Sequence, residues 1–271
     1  LNKPNQLNNP RWIKMRKSLF VGLLVIGFFT IGCTAPKIRL FPSQADPLQE
    51  FTLEGKAQHK VLVIPVRGII SNAAREGFIR TRPSMVQEVV SQLRLAEKDE
   101  NVKAVIFKID SPGGSVTASD ILYNEINVFK ARTGAKVVAA MMGLTASGGY
   151  YISLPADYIL AHPTTITGSI GVIFRRPRVT GLMNKVGIAI EVNKSGKNKD
   201  IGSPFRAATP EEEKIFQDLT DLLAVRFIDL VAKHRKLEPE VIAEISTARV
   251  FLADEALELG LVDEIGYLEK A

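Results

Sequence analysis

The chain has 271 residues, 46% hydrophobic and 24% charged, enough to bury one sizeable core with segments to spare. Its formal charge of +6 lies at one end, because Lys3, Arg11, Lys14, Arg16 and Lys17 precede residue 33 and no acid does; the remainder carries 30 basic against 29 acidic residues, which gives no electrostatic case for nucleic acid. The single cysteine, Cys33, excludes an internal disulfide and a cysteine-built zinc site, and no phosphate-cradling or dinucleotide fingerprint occurs, so no cofactor or metal is expected.

The first residue is leucine, but Met15-Arg-Lys-Ser-Leu-Phe reads as a natural start: a basic stretch followed by an apolar run. That run, Leu19–Ile31, is 13 residues. It is short of the ~20 that span a bilayer comfortably, and it suits the apolar region of a signal peptide. Thr30-Ile-Gly-Cys33 then resembles a bacterial lipoprotein processing site, with Thr30 where leucine is usual. Lipidation at Cys33 and an uncleaved signal anchor are the two readings, and both put the rest of the chain outside the cytoplasm. Residues 1–33 are therefore read as a targeting segment, 34–59 as a polar tether and 60–271 as the folded domain.

Val61–Ile70 is a strand candidate. Met85, Val86, Val89, Val90 and Leu93 recur at helical spacing. Val105–Ile109 is a buried strand, Ala118, Leu122, Ile126 and Phe129 mark a helix, and Ala135–Met142 is another strand. Tyr158–Ala161, Ile170–Phe174 and Ile188–Val192 are shorter strand candidates. Thr209-Pro-Glu-Glu212 starts a long amphipathic helix carrying Ile215, Leu219, Leu222, Leu223 and Leu230. Ala253–Leu259 is a last short helix. Strand and helix alternate, and the strands are apolar throughout, which predicts an α/β domain with covered sheet faces.

Ser147 is the leading chemical candidate. It stands in Gly143-Leu-Thr-Ala-Ser-Gly-Gly-Tyr-Tyr151, after an apolar strand and before a glycine-started helix. Such a turn presents a hydroxyl where backbone N–H groups and the helix dipole favour negative charge. Thr145 replaces the first glycine of a Gly-x-Ser-x-Gly elbow, which argues against an α/β-hydrolase. A hydroxyl needs a base, and His59, His162 and His234 have no comparable setting. The loop Lys194-Ser-Gly-Lys-Asn-Lys-Asp200 offers a lysine instead, and spacing does not choose among Lys194, Lys197 and Lys199. Gly113, Gly114 and Gly148 can present N–H groups to a carbonyl oxygen. Each feature also has a plainer reading: a small packing serine, a solvated basic loop, glycine turns. Asp110 and Asp200 read as positioning groups rather than catalytic acids.

Four segments, Asp110-Ser-Pro-Gly-Gly114, Ala146-Ser-Gly-Gly-Tyr-Tyr151, Thr167-Gly-Ser-Ile-Gly-Val172 and Ser195-Gly-Lys-Asn-Lys-Asp200, occur in this order, and Gly260-Leu-Val-Asp-Glu-Ile-Gly266 closes the set. Together they resemble the short bacterial form of the signal peptide peptidase A family, Ser/Lys peptidases of family S49. The likeness covers roughly Lys60–Gly266. It implies a ClpP/crotonase-like mixed sheet spiral with flanking helices. It also implies Ser147 as nucleophile, Lys199 as general base, Ser169 as the residue that orients the lysine, and Gly114 and Gly148 as oxyanion donors. The implied protein is a membrane-attached endopeptidase acting on cleaved signal peptides and other short extended chains. It would form a homo-oligomeric ring on the periplasmic side, at the inner or outer membrane. A stomatin-cleaving type of membrane protease and a non-catalytic peptide-binding scaffold are the alternatives.

Overall fold

The computed structural model describes residues 48–76 and 81–271, and Leu48–Ala271 form one compact unit. The targeting segment with Cys33, and the tether up to residue 47, lie outside the described residues. Among the described residues no helix is long and apolar enough to cross a membrane.

In chain order the elements are β1 (Lys60–Arg67), β2 (Arg75–Glu76), β3 (Thr81–Arg82), α1 (Met85–Ala96), β4 (Val102–Ser111), α2 (Val116–Thr133), β5 (Lys136–Ala146), α3 (Gly148–Ser153), β6 (Tyr158–Ala161), β7 (Ile166–Gly168), α4 (Thr180–Val186), α5 (Pro210–Arg235), α6 (Pro239–Ile245), β8 (Val250–Leu252), α7 (Ala253–Glu258) and β9 (Glu264–Ile265). The main sheet runs β1-β4-β5-β6-β9, all parallel. β7 joins β5 in parallel and β8 closes on β7 antiparallel. β4 has six of its ten residues buried and only Lys103 exposed, as suits a parallel strand covered on both faces. α1 buries Met85, Val86, Val89 and Leu93, and α2 buries Ala118, Leu122, Ile126 and Phe129. These side chains join Ile64, Val105, Phe107 and Ile109 in one core.

β5 changes partner midway, and that switch builds the site. Val138–Met141 pair with β6, whereas Leu144–Ala146 pair with β7. Between them the register against β4 slips, from Ile109↔Met141 to Ser111↔Thr145. Side chains take up the backbone groups that the slip frees. Asp110 accepts the Leu144 N–H at 3.1 Å, and Thr165 donates to the Met141 and Met142 carbonyls at 3.1 and 2.6 Å. Thr145 donates to Ile109 and Thr167 to Thr145, at 2.9 and 2.7 Å.

Two strand expectations are corrected. Ile170–Phe174 and Ile188–Val192 form no strand, and the second is exposed throughout. Its alternating apolar residues find no partner strand among the described residues. α5 starts on the expected capping box, with Thr209 and Glu212 bonding each other's backbone. Its apolar stripe, however, is only partly covered, with Ile215, Leu223 and Leu230 half-buried. Phe227 and Val231 are buried, while Leu219, Leu222 and Val225 stand in solvent.

Candidate active site

Ser147 is the hinge between β5 and α3. Its φ of 52° and ψ of −120° put a non-glycine residue in a sparsely populated region. Such a conformation costs roughly 1–3 kcal/mol and persists only where the surroundings impose it. Here they do. The Ser147 N–H donates to the Gly168 carbonyl at 2.8 Å, and its own carbonyl accepts the Tyr151 N–H at 2.9 Å. All six residues of α3 are buried, and the Tyr150 hydroxyl donates to the Leu261 carbonyl at 2.8 Å. The strand–turn–helix with a strained serine is the arrangement of a nucleophile elbow, reached without that motif's first glycine.

The loop after β4 passes directly beside this turn. An added Cβ on Gly113 would meet Gly148 N at 2.5 Å and Ser147 Cβ at 2.9 Å. One on Gly148 would meet Gly114 N at 3.1 Å. Ile70 bridges to this loop by donating to the Gly113 carbonyl (2.9 Å) and accepting the Ser115 N–H (3.0 Å). Pairing through the flanking residues turns the Gly114 N–H to the opposite side. The Gly148 N–H opens α3 and has no intrahelical acceptor. Two N–H groups on closely packed backbone beside a strained hydroxyl are the components that hold an anionic oxygen during acyl transfer.

Ser169 lies one residue past the end of β7, as Ser147 does past β5, and the Ala146↔Gly168 register brings the two together. Ser169 also has a positive φ, 51°, and its N–H donates to the Arg249 carbonyl at 2.8 Å.

Lys199 makes no bond to these residues. It sits in an exposed loop, its N–H donating to the Gly196 carbonyl at 3.1 Å. The three lysines that spacing left equivalent now differ. Lys194 donates to Asp200 (2.7 Å) and to the Lys197 carbonyl (2.9 Å), and Lys197 pairs with Glu211. Among the described residues the Lys199 ammonium has no hydrogen-bond or ion-pair partner, Ser147 and Ser169 included. The chain therefore brings Ser147, Gly113, Gly114 and Gly148 together on adjoining backbone, with Ser169 beside Ser147 in register and Lys199 on an exposed loop bonded to neither serine.

The histidines are engaged elsewhere: His162 with Thr164 and the Tyr267 ring, His234 with the Tyr123 hydroxyl at 2.8 Å. Sequence reasoning missed the support behind the turn. The Tyr151 hydroxyl donates to Asp120 at 2.7 Å, and Arg226 of α5 donates to the same oxygen at 2.9 Å. Burial alone would raise the Asp120 carboxyl, but these two donors outweigh it and hold it below the usual range. Burial first, then Asp120, pushes the Tyr151 hydroxyl well up, so it remains a donor. No periodicity or motif links residues 120, 151 and 226.

The model of peptidase family S49 matches residues 130–271, more than half of the sequence, and that of Clp protease matches 78–167. The chain belongs to peptidase family S49. A protein of Enterococcus faecium named as a signal peptide peptidase SppA is 33% identical over 233 residues, 86% of this chain and 67% of that one. A Synechocystis protease is 38% identical, covering 78% of this chain and 72% of its own length. Protease 4 of Salmonella typhi is 39% identical over 67% of this chain, which spans only 29% of that longer protein. This S49 chain is accordingly a serine peptidase. ClpP1 of Listeria monocytogenes, as a point variant, is 21% identical with a TM-score of 0.50 over 77% of this chain and 92% of its own. That likeness supports the fold alone, the ClpP/crotonase-like α/β arrangement expected from the sequence.

Proposed function

We propose that the protein is a membrane-attached serine endopeptidase that cleaves released signal peptides and other short extended chains with a Ser147/Lys199 dyad. The observation that carries the reading is the strained Ser147 turn with the Gly114 and Gly148 N–H groups beside it. In the first step Lys199 takes the Ser147 proton as Oγ attacks the peptide carbonyl. The oxyanion rests on Gly114 and Gly148. The Lys199 ammonium then protonates the leaving amine, and Lys199 activates water for deacylation. Ser169, next to Ser147 in register, orients the lysine. Substrate adds as a strand beside Ile69, which is 70% exposed. Its neighbours Gly68 and Ile70 bond back to Asp110 and Gly113, so the Ile69 backbone faces the open edge of the sheet. Membrane attachment rests on Leu19–Ile31 and Cys33 in the sequence.

The chains form a homo-oligomeric ring in which Lys199 serves Ser147 of a neighbouring copy. Two features support this. Among the described residues Lys199 is exposed and unpaired, and the stretch before it exposes Ile173, Leu182, Ile188, Ile190 and Val192. A fluorophosphonate probe and a peptide-cleavage assay test the reading together. Ser147→Ala and Lys199→Ala are each expected to be inactive, and Ser147→Ala unlabelled. Mixing and reassembling the two variants should restore activity, because each supplies what the other lacks. Full activity of Ser147→Ala would overturn the peptidase site. Two inactive variants that stay inactive when co-assembled would place the dyad within one copy.

A further inference from the structure

Arg206 uses all of its donors. Nε and Nη2 fork onto the Asp200 carboxylate at 2.8 and 2.9 Å, and Nη1 and Nη2 fork onto Glu212 at 2.8 and 2.5 Å. The remaining Nη1 N–H reaches the Ala207 carbonyl at 3.0 Å, and Nη2 shares a donor with the Asp200 carbonyl at 3.3 Å. Glu212 is almost sealed from water, and its Oε2 also accepts the Thr209 N–H at 2.9 Å, inside the capping box of α5. Lys194 closes the other side, bonding Asp200 and the Lys197 carbonyl. The Arg206 guanidinium holds both carboxyls well below their usual range, helped by Lys194 at Asp200 and the Thr209 N–H at Glu212.

Asp200 is the residue after Lys199. From Gly181 to Lys199 no residue is buried, so packing alone gives this loop no fixed place. A general base must sit within about 3 Å of the proton it takes. The Arg206 network is what the loop has instead of a core, and it ties the loop to the first turn of a 26-residue helix.

We propose that Asp200, Arg206 and Glu212 are positioning residues for the catalytic lysine, with Arg206 as a two-sided clamp that fixes the end of the Lys199 loop to α5. This rests on the reading of Lys199 as the base. None of the three touches substrate; they act by holding the backbone from which Lys199 extends. Lysine at position 206 keeps the charge but cannot fork onto two carboxylates at once.

The test uses the full assembled chain, a fluorogenic peptide and thermal unfolding. Arg206→Lys and Asp200→Asn are each expected to melt close to wild type and keep KM within about twofold. Both should lower kcat by roughly 10–100-fold, the loss that small misplacement of a catalytic group produces. The double variant should be no worse than the poorer single, since the two residues act as a unit. Wild-type kcat in Arg206→Lys, a loss confined to KM, or losses that multiply in the double variant would each overturn the clamp. Should Arg206→Lys fail to fold, Asp200→Asn decides alone by the same split. Lys199→Ala is run in parallel. If it is active, the base assignment falls first; if it is inactive while Arg206→Lys turns over normally, only the clamp falls.

Discussion

Gly113→Ala is the substitution from which the packing of the site can be weighed. An added methyl would stand 2.5 Å from Gly148 N, 2.9 Å from Ser147 Cβ and 3.1 Å from the Ala146 oxygen. All three are backbone atoms or the first atom of a side chain, so none can swing aside. Overpacking of this kind costs about 1–3 kcal/mol. The φ of +93° adds a left-handed penalty of roughly 1–2 kcal/mol for any residue with a Cβ. The total, about 2–5 kcal/mol, corresponds to a fall in melting temperature of roughly 5–15 °C for a domain of this size. Gly134→Ala is the control: its φ is +66°, and nothing lies within 4 Å of the added methyl. It should cost about 1 kcal/mol, a few degrees, and leave turnover alone. Gly113→Ala should also cut kcat by about 10²–10³-fold, because the clash pushes on the Gly148 N–H and on the serine that it serves. Melting curves and steady-state rates on both variants decide the matter. If Gly113→Ala melts with Gly134→Ala and turns over like wild type, the close approach of this loop to Ser147 is wrong.

Burial, then the charges of Lys233, Lys130 and Arg235, lower the His234 pKa from its ordinary 6.5. The unfolded chain then binds the proton more readily, so this contribution to stability is present above pH 6.5 and is lost as pH falls through 6.5 toward the lowered value. Urea midpoints should decline between pH 7.5 and 5.5, and His234→Gln should flatten that decline; an identical slope in the variant would remove His234 as its source. Thr167→Val keeps the shape but removes the hydroxyl's bond to the buried Thr145 carbonyl, which keeps its place in the β5–β7 ladder. It should cost about 0.5–1.5 kcal/mol in denaturant unfolding, and an unchanged midpoint would show that the strand pairing does not need the brace. Ile190→Asp places a charge in the exposed apolar stretch; light scattering should show smaller assemblies with the fold intact by circular dichroism, and unchanged mass would free that stretch from any role in the ring.

The features legible in the sequence are local ones. The capping box at Thr209 and Glu212 and the glycine-started α3 are written within a few consecutive residues, and both lie where expected. The apolar pattern marks β5 only as far as Met142, yet the strand runs to Ala146, because its last three residues pair with β7 more than twenty residues downstream. The same distance problem hides the Asp120–Tyr151–Arg226 cluster and the Arg206 clamp, whose charges look like ordinary surface charges in sequence. The strain at Ser147 has no signal either, since glycine rather than serine is the usual mark of a positive φ. Ile188–Val192 misleads for the opposite reason: its pattern suits a strand, but a strand needs a partner, and none stands beside it among the described residues.

The proposed nucleophile and the proposed base are both referred to α5, but at different points along it. Asp200 is clamped to Glu212 in the first turn. Tyr151, four residues after Ser147, meets the helix at Arg226 through Asp120 and packs on Phe227 with ring centroids 4.9 Å apart. Fourteen residues separate the two anchor points, about 21 Å along a straight helix. A six-residue helix such as α3 has no stability of its own and takes its place from what it packs on. Any tilt of α5 therefore carries the lysine loop and the serine turn together and leaves the spacing of their anchors unchanged. In the proposed ring, bringing an amine to the Ser147 hydroxyl then falls to the placement of one copy against the next. That proposal also gives a use to the apolar surface near Lys199 and along Leu219, Leu222 and Val225, which is exposed among the described residues. On this reading the ring belongs to the catalytic apparatus, because the contact between copies sets where Lys199 stands relative to Ser147.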